Sequence, residues 1–141
     1  MAGIIQDQAY YDRYVVPYID NDKVIYTGSV GPVERNRLLG RACALLHPIE
    51  FDEPFGLSVI ESMACGTPVI AFDRGSMPEL IENGKSGFLV NNVAEAIEAF
   101  ARIEEIDRAN CRRHVERHFT VDRMINEYIQ VYEMILDSER L

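Results

Sequence analysis

Glu53-Pro54-Phe55-Gly56-Leu57-Ser58-Val59-Ile60-Glu61-Ser62-Met63-Ala64-Cys65-Gly66-Thr67-Pro68-Val69-Ile70-Ala71-Phe72 decides how this chain folds. A proline and a glycine open the stretch, so Glu53–Gly56 reads as a loop. Helical periodicity runs over Gly56–Cys65, and Gly66-Thr67-Pro68 ends it. The short apolar run Val69-Ile70-Ala71-Phe72 then reads as a strand buried on both faces, as in a parallel sheet. Just upstream, Ala44-Leu45-Leu46 is a second such run, succeeded by His47-Pro48. The order is therefore strand, loop, helix, strand.

Working outward, Gly3-Ile4-Ile5, Val24-Ile25-Tyr26 and Phe88-Leu89-Val90 are further candidate strands. Helical pattern occupies Asp7–Tyr18, Val33–Arg41 and Met77–Glu82. Alternation of this kind predicts an α/β fold, a Rossmann-like open parallel sheet with flanking helices. From Asn92 onward only helical pattern remains, giving a helical C-terminus, with Asp107 placed to cap one helix. Met124, Ile125, Tyr128, Ile129, Tyr132, Ile135 and Leu136 form a long apolar stripe on the last helix. That stripe is either buried on this chain's own sheet or left exposed, in which case it drives self-association. No repeat, linker or low-complexity tract divides the chain, so residues 1–141 read as a single domain.

Composition narrows the function. The net charge is −9 over 141 residues, and no cluster of Lys and Arg forms a nucleic-acid stripe. No segment reaches bilayer-spanning length, and no signal-peptide pattern precedes Gly3, so a cytoplasmic location is expected. Three scattered cysteines exclude a disulfide framework, and Cys43 and Cys65, within apolar runs, read as small core residues.

Several motifs fail on inspection. Gly84-Lys85-Ser86 imitates the end of a P-loop, but Glu79 stands where that loop needs glycine. It reads as a polar turn into the Phe88 strand. Cys111, His114 and His118 are zinc-ligand types on one helix face, but no fourth ligand is evident and Arg112, Arg113 and Arg117 oppose a cation. Ser58 lacks the second glycine of a nucleophile elbow. His47 is either a pocket residue or a hydrogen-bonded structural histidine.

The constellation that survives is Glu53, the helix start at Phe55, Gly56, Leu57 and Ser58, and Glu61. Free N–H groups at a helix N-terminus bind phosphate oxygens, and Gly56 admits a ligand close to the backbone. Carboxylates on either side accept hydrogen bonds from sugar hydroxyls. The carboxyl ends of strands are where open α/β sheets bind ligands. Taken as two carboxylates alone, a loop glutamate and a solvated helix glutamate would explain the pair equally well.

The residues downstream of Glu61 change that balance. The E-x7-E element, Met63-Ala64-Cys65-Gly66-Thr67-Pro68-Val69-Ile70-Ala71, Gly75-x-x-Pro78-Glu79 and Gly84-x-x-Gly87-Phe88-Leu89-Val90 occur in order. Together they resemble retaining glycosyltransferases of the GT-B fold, group 1. The resemblance spans essentially the whole chain and is similar, within the family, to the branch of tetrahydrobiopterin glucosyltransferases and antibiotic-type sugar transferases.

It implies a C-terminal donor-binding domain. Glu53 matches the glutamate that contacts the donor sugar and is the candidate catalytic residue. Phe55, Gly56, Leu57 and Ser58 match the diphosphate contact, and Glu61 the ribose contact. Gly28, Ser29 and Val30 match the loop beside the base. The donor is a nucleotide-diphosphate sugar, and the family usually needs no metal or other cofactor. The Gly-Arg and Lys-Gly that neutralise the diphosphate in the family precede the point where this sequence starts, as does the N-terminal acceptor domain. The chain is therefore expected to be inert alone and to bind the diphosphate poorly. The alternatives are a non-catalytic nucleotide-sugar-binding or scaffold subunit completed by another chain, and an epimerase of the same fold, which the E-x7-E spacing disfavours.

Overall fold

The structure, a computed structural model, describes residues 1–138. The chain falls into two compact units, Met1–Arg37 and Leu38–Leu141.

The first unit holds α1 (Gln8–Tyr14) and a 3₁₀ turn at Val16–Tyr18. Asp7 caps α1 by accepting a hydrogen bond from the Tyr10 N–H. The two strands expected here do not form. Residues 1–3 and 25–28 run side by side through three main-chain hydrogen bonds, from Met1 N to Ile25 O, Thr27 N to Met1 O and Gly3 N to Gly28 O. Among the described residues, no further strand extends this pairing. No residue of this unit is buried, and Ile4 is 79% exposed. A parallel strand needs apolar cover on both faces, and the first unit has no core to supply it. Helix α2 (Pro32–Arg41) begins in this unit and ends in the next.

The second unit contains a three-stranded parallel sheet of β1 (Leu45–His47), β2 (Val69–Phe72) and β3 (Gly87–Val90), in that order. Register places Leu45 beside Val69 and Val69 beside Gly87. Each crossover carries a helix, α3 (Leu57–Ala64) and then the short α4 (Met77–Leu80). The core gathers Val59, Ile60 and Met63 of α3, Val69, Ile70 and Ala71 of β2, and Met77 and Leu80 of α4. Val69, Ile70 and Ala71 are consecutive and all buried, the mark of a strand covered on both faces. The Gly84-Lys85-Ser86 segment is a turn into β3, with the Gly84 N–H bonded to Gly87 O at 2.8 Å.

Three helices complete the unit: α5 (Val93–Ala101), α6 (Arg108–His118) and α7 (Val121–Ser138). Asp107 caps α6 as expected, accepting from the Ala109 N–H. Arg108 ties α6 to the end of α2, donating to Gly40 O, Ala42 O and the Thr67 hydroxyl. Helix α7 buries none of its residues. The cysteines depart from expectation. Cys43 is exposed and Cys65 half-buried, whereas Cys111 is fully buried. Burial pushes the Cys111 thiol up to about 11. Cys43 stands just before β1, so the apolar run that suggested burial begins one residue too late to enclose it.

Candidate functional site

The loop between β1 and α3 leaves the carboxyl end of a parallel strand, where open α/β sheets collect ligands. At its end Gly56 adopts the left-handed conformation, φ +90°, and starts α3 with no side-chain cap. The first carbonyl to accept within the helix is that of Gly56, from Val59 and Ile60. Among the described residues, the N–H groups of Phe55, Gly56, Leu57 and Ser58 donate to nothing. They leave a concentrated positive end of the helix dipole. Phe55, Leu57 and Ser58 are exposed, so the helix mouth is open.

Glu53 is half-buried in the loop three residues before Gly56. A methyl group built on Gly56 would lie 3.8 Å from the Glu53 Cγ. Glu61 is half-buried one helical turn on, three and four residues beyond Ser58 and Leu57 and therefore on their face of α3. The structure thus gathers Glu53, Phe55, Gly56, Leu57, Ser58 and Glu61 around one helix start. Gly28, Ser29 and Val30 belong to the first unit. There Gly28 is in the left-handed region, φ +70°, and bonds Gly3 N through its carbonyl.

The loop is held from behind by the segment after β2. Gly75, φ +55°, lies so close to the Glu53 backbone that an added Cβ would sit 2.6 Å from Glu53 N and 2.8 Å from Glu53 O. The Ser76 N–H donates to Glu53 O, and the Ser76 hydroxyl donates to Phe55 O, each at 2.9 Å. Arg74 donates to Glu50 O. Met77 and Leu80 press on Gly56, reaching 2.8 and 2.9 Å from where its Cβ would stand. Sequence reasoning gave Gly75 and Ser76 no role in the site. Their signal was the glycine-led turn before Pro78, but its partner lies 22 residues away and no local pattern reveals that.

His47 ends β1. Its Nε2 is buried without a hydrogen-bond partner among the described residues, so that nitrogen is not the anchored structural group. Desolvation pushes its pKa down, and the nearby Glu53 carboxylate partly opposes this. The other candidate ligands are engaged structurally. His114 Nε2 lies 2.9 Å from Leu80 O, Cys111 Sγ lies 3.5 Å from Ser86 O, and His118 Nδ1 lies 2.8 Å from Arg123. Among the described residues no cluster of three His, Cys, Asp or Glu side chains could hold a metal ion.

Comparison with known proteins settles the family. The glycosyl transferases group 1 profile matches residues 1–117. The chain belongs to that family. A probable sucrose-phosphate synthase of Thermosipho melanesiensis is 39% identical over 85 residues, 57% of this chain and 20% of the relative. A D-inositol 3-phosphate glycosyltransferase of Jonesia denitrificans is 38% identical over 90 residues, 58% of this chain and 21% of the relative. Among solved structures, sucrose-phosphate synthase from Thermosynechococcus elongatus superposes with a TM-score of 0.77 at 27% identity, over 97% of this chain and 38% of that one. The group 1 chain described here thus spans about a fifth of the length of these curated relatives.

Proposed function

We propose that this chain is the donor-binding part of a retaining hexosyltransferase, holding a nucleotide-diphosphate sugar at the start of α3. The observation that carries this reading is the uncapped helix mouth at Phe55–Ser58, with Glu53 in the loop just before it and Glu61 one turn on. The N–H groups of Phe55, Gly56, Leu57 and Ser58 would donate to the diphosphate oxygens. Charge developing on the leaving diphosphate would then meet fixed dipoles that need no reorganisation. The reading assigns that task to the main chain rather than to a metal. Glu61 would bind the ribose hydroxyls. Glu53 would orient the sugar as its glycosidic bond breaks, with the new bond formed in the same anomeric configuration. Gly28, Ser29 and Val30 are assigned to the nucleotide base by their place in the family pattern. The run Glu53–Phe72 supports placement beside the tetrahydrobiopterin and antibiotic-type sugar transferases.

Steady-state kinetics on a longer protein that contains this chain and an acceptor domain test the division of labour. Ribose contacts are alike in ground and transition states, so Glu61→Gln should raise the donor KM about tenfold with little change in kcat. Glu53→Gln should lower kcat about a hundredfold at saturating donor, the range of a removed transition-state contact. Equal loss of kcat in both variants with unchanged donor affinity would show the assignment to be wrong.

A further inference from the structure

Ser76 stands at the start of α4, where a serine ordinarily caps the helix by accepting from the second or third N–H. Neither is open to it here. The second position is Pro78, which carries no N–H, and the Glu79 N–H at the third donates to the Ser76 carbonyl at 3.0 Å. The Ser76 hydroxyl makes no cap bond. It donates instead to Phe55 O, 21 residues back, at 2.9 Å. Ser76 itself is held by its main chain. Its N–H donates to Glu53 O at 2.9 Å, and its carbonyl also accepts from Leu80.

The Phe55 carbonyl shares a peptide plane with the Gly56 N–H. In a trans peptide the two point in opposite directions, so holding the carbonyl towards Ser76 aims the Gly56 N–H away from it. Helix α3 fixes the next peptide in the same way. Gly56 O accepts from the Val59 and Ile60 N–H groups at 3.0 and 3.3 Å, which turns the Leu57 N–H out of the helix start. A left-handed Gly56 followed by a helical Leu57 makes a nest, in which successive N–H groups converge on one anion. The Leu57 and Ser58 amides are set by α3, but the Gly56 amide is not. Glycine populates positive and negative φ about equally, so the Phe55–Gly56 peptide can turn over and take that N–H out of the nest. A bulkier residue offers no alternative. It disfavours φ +90°, and its Cβ would stand 2.8 Å from Met77 Cε and 2.9 Å from Leu80 Cδ1.

We propose that Ser76 is a positioning residue of the donor site: its hydroxyl fixes the Phe55–Gly56 peptide so that the Gly56 N–H joins those of Leu57 and Ser58 on the donor's diphosphate. The inference rests on the donor-site reading and deepens it. Ser76 touches no substrate and moves no proton. It acts by setting one amide before the donor arrives, so that no reorganisation is needed when charge develops.

Residual dipolar couplings of the backbone N–H groups test this in the ligand-free 141-residue chain. Ser76→Ala should change the Gly56 coupling and leave those of Leu57 and Ser58 as in the wild type. Ser76→Thr, which keeps a hydroxyl, should restore it. Circular dichroism verifies that both variants fold. Titration with UDP-glucose and ADP-glucose gives the functional reading. Ser76→Ala should weaken whichever donor binds by about fivefold, the scale of one neutral hydrogen bond, and Ser76→Thr should bind as the wild type does. A Gly56 coupling left unchanged by Ser76→Ala overturns the inference, as does a reoriented amide with donor affinity intact. Either result leaves the donor-site reading standing. Wild-type donor binding that does not move Gly56, Leu57 and Ser58, or no binding of either donor, would instead remove that reading and this inference with it, whatever Ser76→Ala does to the coupling.

Discussion

Glycine 75 shows how one residue governs the site at a distance. It has no side chain to offer a ligand, yet a Cβ there would meet the main chain of Glu53 at 2.6 Å. Backbone cannot swing aside as a flexible side chain can. Gly75→Ala must therefore push the Glu53 loop outward, and it adds the cost of a left-handed conformation, about 1–2 kcal/mol for a non-glycine residue. We expect Gly75→Ala to destabilise the fold by roughly 2–3 kcal/mol in a denaturant titration, within the range of strained-backbone substitutions. It should also displace the Phe55 and Ser76 amide resonances even at temperatures where the chain stays folded. A change at Gly84, which has open space around its Cβ position, should not. The positions of Glu53 in a loop and Glu61 in a helix were legible because proline, glycine and helical periodicity are local signals. The clamp of Gly75 and Ser76 was not, because it is a contact across 22 residues.

At the scale of elements, the outcome depends on where apolar cover comes from. Strands β1, β2 and β3 were legible as short apolar runs bounded by Gly, Pro or Asp; β2 and β3 are largely buried, while β1, at the edge of the sheet, leaves Leu46 59% exposed. Gly3–Ile5 and Val24–Tyr26 carry the same local signal, but the main-chain bonds among the described residues join residues 1–3 to 25–28 without forming a strand, and none of these residues is buried. Local pattern encodes the readiness of a segment to be a strand, while the sheet around it decides whether it becomes one. Helix ends were read more reliably, because caps are local. Asp107 accepts from the Ala109 N–H at 2.9 Å and opens α6, whose Cys111 and Val115 enter the core. Asp107→Ala should cost about 1 kcal/mol. Thermal unfolding would register this as a lowered Tm, whereas Asp107→Asn or Asp107→Ser should restore most of it. Loss of stability in the Asn variant equal to that in the Ala variant would assign Asp107's contribution to its ion pair with Arg113 instead.

For the molecule as a whole, the sheet places one helix mouth at a strand's carboxyl end and brings two carboxylates to it. Sugar transfer also needs an acceptor held in near-attack geometry, and the curated relatives are about five times as long as the stretch matched here. We expect the 141-residue chain alone to show no transfer from a nucleotide-diphosphate sugar, measured by release of nucleoside diphosphate and by mass of any glycosylated product. Donor binding is a separate matter and tests the central claim directly. In a ¹⁵N–¹H titration of the chain with UDP-glucose and ADP-glucose, at least one donor should bind weakly, with Kd on the order of 1 mM, about −4.1 kcal/mol. The amides of Phe55, Gly56, Leu57 and Ser58 should show the largest shifts, and Glu61→Gln should weaken binding several-fold. Saturable binding that leaves those four amides unmoved, with its shifts gathered elsewhere in the chain, would contradict the account.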